Sequence, residues 1–278
     1  MAATAQANDM PEGACDCHIH IYDYTRFELA PTALSRPPQA LWSDYRREQQ
    51  ALGLTRAVVV QPTGYGFDNR CTLDALTQAD GNARGIVAIA PDVTEAELTQ
   101  MDAAGVRGVR FMMIANGGGV MRWDMLETIA AKIAPLNWNI NLQIDGRDFE
   151  QYEDLLKSLP CRVVIDHNGK FLTPVKPDHP GMKSLLRLLD TGRCWIKLSA
   201  PYETSQTGAP AYDDVSVLAK TFVDAYPERC LWASNWPHPG RNPQPSNRAL
   251  LDLLPVWAPS AEIRKRILVD NPAALYGF

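Results

Sequence analysis

The feature that most constrains this chain is a rhythm. Short apolar runs of strand length alternate with longer segments of helical spacing, eight times over. The strand-like runs are Ala14–Ile21, Arg56–Gln61, Gly85–Ala90, Gly108–Met113, Asn139–Ile144, Arg162–Asp166, Cys194–Ser199 and Cys230–Ala233. Between them helical spacing covers Trp42–Leu52, a segment from Thr72, a segment to Ala104, Trp123–Ala134, Asp148–Ser158, Gly181–Asp190 and Asp213–Ala225; a last helix is expected over Ser260–Val269. Gly53 supplies a stop for the first helix, and Thr94 with Glu97 a capping box for the third. Eight strands with alternating helices predict a (β/α)8 barrel. The rival, an open doubly wound sheet, lacks its Gly-rich dinucleotide turn after the first strand. Gly117-Gly118-Gly119 has no Lys-Ser/Thr after it and reads as a flexible loop at the barrel mouth. Residues 1–12, small and polar, read as a flexible segment, and 13–278 as one barrel domain.

Charge and composition narrow the partners. A net charge of -5 gives no basic footprint for nucleic acid or an anionic membrane. No apolar stretch approaches the roughly 20 residues of a membrane span, and the N-terminus is not a secretory signal. Five of the six cysteines lie in or beside apolar runs, which favours reduced, buried thiols and the cytosol. Cys15-Asp16-Cys17 lacks the second pair a metal site of that kind needs. What remains is a small-molecule site, with a homo-oligomer left open.

Polar residues stand at the strand ends, the face where barrels keep their active sites. In order they are His18 and His20, Gln61, Arg110, Gln143 and Asp145, Asp166 and His167, Ser199 and Tyr202, then Asn235 and His238. Strand alternation points His18 and His20 together into the barrel. Three imidazoles, His18, His20 and His167, could hold one zinc ion. A hydrolytic zinc site also needs a carboxylate to take the proton from water, and the end of the eighth strand offers the amide of Asn235 instead.

Cys15-Asp16-Cys17-His18-Ile19-His20, Val164-Ile165-Asp166-His167-Asn168-Gly169-Lys170 and Ala233-Ser234-Asn235-Trp236-Pro237-His238-Pro239 resemble the amidohydrolase superfamily. Within it they resemble the branch holding 2-pyrone-4,6-dicarboxylate hydrolase, the sugar-acid lactonases and D-galactarolactone isomerase. The likeness runs from about Gly13 to the end, including Val269-Asp270-Asn271-Pro272-Ala273-Ala274-Leu275-Tyr276. It implies a distorted (β/α)8 barrel, lactone chemistry on a small carboxylate-bearing lactone, and activity without a bound metal. The hydrolases of the branch carry Asp where this chain has Asn235. The pyrone hydrolase has an arginine after the seventh strand, where this chain offers Glu203. Gln143-Ile144-Asp145-Gly146, Tyr202-Glu203 and Asn235-Trp236-Pro237-His238 resemble the isomerase, whereas the full His18-x-His20 does not.

The resemblance therefore leads to isomerisation of a sugar-diacid 1,5-lactone to the 1,4-lactone, with a lactonase or a metal-dependent hydrolase or decarboxylase as alternatives. In that reading His18, His20 and His167 polarise the carbonyl, Asn235 orients the attacking hydroxyl, and Arg110 binds a carboxylate. Gln61, Gln143, Asp145, Tyr202 and Glu203 complete the substrate shell. The proton carrier stays open among His238, His167 and Asp166. Lys170 could meet a second carboxylate. Trp236, Tyr22 and Tyr65 could stack on the ring or simply pack the lid.

Overall fold

The computed structural model describes residues 10–278, so most of the segment expected to be flexible lies outside the described residues. Eight parallel strands, in sequence order, form a barrel: β1 (Cys15–Ile19), β2 (Arg56–Val60), β3 (Ala83–Val87), β4 (Val106–Met112), β5 (Asn139–Gln143), β6 (Arg162–Ile165), β7 (Cys194–Leu198) and β8 (Cys230–Trp232). The helices between them are α1 (Trp42–Leu52), α2 (Arg70–Gln78), α3 (Glu95–Ala103), α4 (Leu126–Ile133), α5 (Phe149–Ser158), α6 (Pro180–Asp190) and α7 (Asp213–Ala225). After β8 come α8 (Asn247–Leu251), α9 (Leu254–Trp257), α10 (Ala261–Lys265), a π-helical turn over Arg266–Asp270, and α11 (Asn271–Tyr276).

Local signals act where the sequence places them. Gly53 takes φ 77 and closes α1 by donating to Gln49 and Gln50 carbonyls. Thr94 Oγ1 accepts from Glu97 N at 3.2 Å and Glu97 Oε2 accepts from Thr94 N at 2.8 Å, a capping box for α3. β3 lies nearer the N-terminus than expected, because the Asn69 side chain takes both backbone groups of Ala88, at 2.7 and 3.0 Å, in place of a strand partner. The expected C-terminal helix is broken by the π turn, and α8 and α9 are too short to carry a periodic signal. Gly117 and Gly119 are explained by close approach: a Cβ on Gly119 would lie 2.0 Å from the Met112 carbonyl oxygen.

The barrel interior is layered. Cys15, Cys17, Val58, Ile86, Val164, Trp195 and Leu231 form an apolar layer, which Leu275 and Tyr276 of α11 seal from below. Alternation along β4 to β7 then puts Arg110, Asn141, Asp166 and Lys197 in the layer above.

Closure departs from a regular barrel. β8 reaches β1 through the segment after it: His20 N donates to Trp236 O at 2.8 Å and Asn235 N to His18 O at 3.0 Å. Buried Asp16 clamps this seam, accepting from Ser234 N at 2.9 Å and Oγ at 2.5 Å, and from Tyr45 of α1 at 3.3 Å. The β1–β2 register also shifts between Asp16 and Ile19. This bulge lets Cys17 stay in the apolar layer while His18, one residue on, also turns inward.

Candidate active site

The imidazoles of His18 and His20 meet edge to face with Nε2 atoms 3.2 Å apart, and His18 lies 4.8 Å from the ring of His167. His20 Nδ1 bonds the Val60 carbonyl oxygen at 2.8 Å, so that nitrogen carries the proton. His18 Nδ1 faces Lys197 Nζ at 3.1 Å and Asp166 Oδ1 at 3.4 Å. His167 Nδ1 contacts Ser199 Oγ at 2.8 Å. Burial holds all three imidazoles well below the ordinary histidine range, so they are neutral. Burial alone would raise the Asp166 carboxyl, but the Lys197 ammonium beside it holds it well below the usual carboxylate range.

His167 sits in an unusual turn. His167, Asn168, Gly169 and Lys170 all take positive φ, between 48° and 83°. Asn168 Nδ2 pins the turn to the Ser199 carbonyl oxygen at 2.7 Å. Strained backbone of this kind persists where surrounding contacts over-determine it, and here it points His167 across the barrel.

A second group lies around Asn235. Its Nδ2 donates to Tyr202 Oη at 2.9 Å and to Glu203 Oε1 at 3.2 Å, which leaves Oδ1 buried and without a partner. Tyr202 Oη in turn donates to His238 Nδ1 at 2.8 Å, and His238 Nε2 donates to Asn247 Oδ1 at 2.8 Å. Both ring nitrogens of His238 are thus engaged in bracing, and burial pushes its pKa down to about 4. Lys170 pairs with Glu203 at the mouth; burial, then Arg241 and Arg110, lowers it to about 8.

Arg110 donates to Gln61 O at 3.0 Å and to Gln143 Oε1 at 3.1 Å, and its Nε has no partner. Other expected site residues stand apart. Every polar group of the Gln61 side chain is spent on the loop after β2 and the first turn of α2, at Gly66 O, Asp68 O and Thr72 Oγ1. Asp145 caps its turn and pairs with Arg147. Trp236 packs on Tyr45, ring centroids 5.4 Å apart, and Tyr22, Tyr24 and Tyr65 pack on one another.

Three central groups escape a strand-end search, because they sit mid-strand: Lys197, Asn141 and Asp16. A signal existed. A lone lysine inside the apolar run Cys194–Leu198, and Asn139-x-Asn141-x-Gln143 repeating with period two, both mark an inward polar face.

His18, Asp166 and His167 bring ligand-type atoms within 4.8 Å of one another. By kind they suit a divalent cation. Lys197 Nζ, however, already lies 3.0 Å from Asp166 Oδ1 and 3.1 Å from His18 Nδ1. As arranged, the set does not fit a metal ion.

A closed parallel barrel carrying buried histidines, a carboxylate and an arginine toward its C-terminal face defines a barrel enzyme. Residues 15–278 match the family model described as amidohydrolase, and the chain belongs to that family. It is 35% identical to 4-sulfomuconolactone hydrolase of Hydrogenophaga intermedia, over 96% of this chain and 90% of that one. It is 32% identical to D-galactarolactone isomerase of Agrobacterium fabrum, over 99% and 95%. A solved apo structure from Agrobacterium tumefaciens superposes with a TM-score of 0.92 at 32% identity, covering 99% of each chain.

Proposed function

We propose that this enzyme isomerises a sugar-diacid lactone from the 1,5- to the 1,4-ring without a metal ion. The observation that carries the reading is Asn235. Its amide protons are anchored on Tyr202 and Glu203, and its buried Oδ1 has no partner. An unpaired buried acceptor of this kind receives a hydroxyl proton donor and cannot deprotonate water at neutral pH. The relatives named as a lactone hydrolase and a galactarolactone isomerase support the substrate class.

In this mechanism the substrate's own hydroxyl, oriented by Asn235 Oδ1, attacks the lactone carbonyl. In the bound complex that hydroxyl donates to Asn235 Oδ1; on attack its single proton swings to His167 Nε2, the ring being held at Nδ1 by Ser199. The His18 Nε2–H, which rests against His20 Nε2, turns to the oxyanion as it forms; His20 offers no donor there, since its ring proton is on Nδ1 and points at the Val60 carbonyl oxygen. The ring C–O bond then breaks, and the departing oxygen takes the proton back from His167. Arg110, whose Nε–H is unpaired, holds one carboxylate, and Lys170, which pairs with Glu203, turns to the other.

A hydrolytic reading has one observation in its favour: Asp166 is an ionised carboxylate in the centre of the site, with no hydrogen bond to Oδ2. Proton NMR of chelator-treated enzyme with D-galactaro-1,5-lactone separates the two. The 1,4-lactone as product upholds isomerisation, and the open acid as first product overturns it.

A further inference from the structure

One line of hydrogen bonds crosses the barrel interior from β4 to β2, and both of its ends are backbone carbonyls. At one end Asn139 Nδ2 donates to Arg107 O at 2.8 Å and Asn141 Nδ2 donates to Asn139 Oδ1 at 2.5 Å. Asn141 Oδ1 is therefore turned to Lys197 Nζ, 2.5 Å away, as an acceptor. At the other end His20 Nδ1–H donates to Val60 O at 2.8 Å, which leaves its Nε2 to accept from His18 Nε2 at 3.2 Å. His18 Nδ1 is then the acceptor that faces Lys197 at 3.1 Å. A line ending on carbonyls at both ends needs one group in the middle that donates in both directions. The ammonium of Lys197 is that group: it donates to Asn141 Oδ1 and His18 Nδ1, and Asp166 Oδ1, 3.0 Å away but outside hydrogen-bond geometry, adds the opposite charge.

We propose that Lys197 is a built-in cation that occupies His18 and Asp166, two of the three groups able to hold a divalent metal, and that it fixes His18 as an Nε2–H donor. With Nδ1 capped by Lys197 and the proton on Nε2, His18 has no lone pair for a metal. Lys197 is thus a positioning residue that acts through His18. The use of His18 on an oxyanion rests on the lactone reading above; the exclusion of metal does not.

The test titrates zinc by calorimetry into the full chain as wild type, as Lys197→Met and as Lys197→Met with Asp166→Asn. Removing a charge in contact with the ligands is expected to strengthen zinc binding by on the order of 10²-fold or more in Lys197→Met. The double variant is expected to lose that gain. Equal affinity in wild type and Lys197→Met overturns the proposal. Ring nitrogen NMR of the wild type decides it even where the variants do not fold: the proposal requires Nε2–H on His18 and Nδ1–H on His20, and the opposite tautomer or a protonated ring at His18 sinks it. Absence of lactone turnover with these tautomers intact overturns the functional reading and leaves Lys197 standing.

Discussion

Asn235 and His238 occupy one short turn, and their chemistry is linked through Tyr202. Replacing Asn235 by Asp puts a carboxylate where an amide now donates to Glu203 at 3.2 Å. Two like charges so close cannot both ionise freely, so the new carboxyl has a raised pKa and acts as a base. Asn235→Asp is expected to slow isomerisation by roughly 10²-fold and to release open acid with a rate that rises with pH. Product analysis by NMR checks this; an isomerisation rate unchanged by the substitution contradicts an orienting role. His238 makes a separate prediction about stability. Its folded pKa, about 4, lies below the ordinary 6.5, so the unfolded chain binds its proton first as pH falls. Stability is then fully present above pH 6.5 and is lost toward pH 4, by on the order of 3 kcal/mol from this group. Denaturant melts of wild type and His238→Asn between these pH values should show a shallower loss in the variant.

At the scale of elements, the seam between β1 and the segment after β8 depends on Asp16. Burial raises its carboxyl to about 6, against hydrogen bonds from Ser234, His18 and Tyr45 that favour the charged form. Asp16→Asn turns one acceptor into a donor facing Ser234, and a cost of about 2–4 kcal/mol is expected in urea unfolding. A midpoint within error of wild type refutes the clamp. The same elements show how far the sequence could be read. Strand alternation with helices, the capping box at Thr94 and the stop at Gly53 are local signals, and they fixed the barrel and most element bounds. The strand-end search singled out His18, His20, His167, His238, Arg110 and Asn235, because polar residues closing apolar runs stand out. It could not show that the Gln61 side chain is consumed by the loop after β2 and the first turn of α2, or Asp145 by Arg147, since those partners are decided by tertiary geometry. Nor could alternation reveal the bulge in β1, which brings two successive residues to the same side.

The whole molecule is stacked along the barrel axis: an apolar floor, a polar middle and a mouth. Tyr276 seals the floor and is fully buried, yet its hydroxyl has no partner. Tyr276→Phe is expected to leave stability unchanged or raise it, whereas Tyr276→Ala should cost about 3–5 kcal/mol. Equal losses in the two variants, measured by thermal unfolding, count against the floor as described. The closure through residues 234–236 has a wider consequence. The stretch that carries Asn235 also completes the cylinder, so the position of its side chain is set by the same contacts that close the barrel. A chain whose last strand fails to dock therefore leaves both the seam and the Asn235 side chain unplaced.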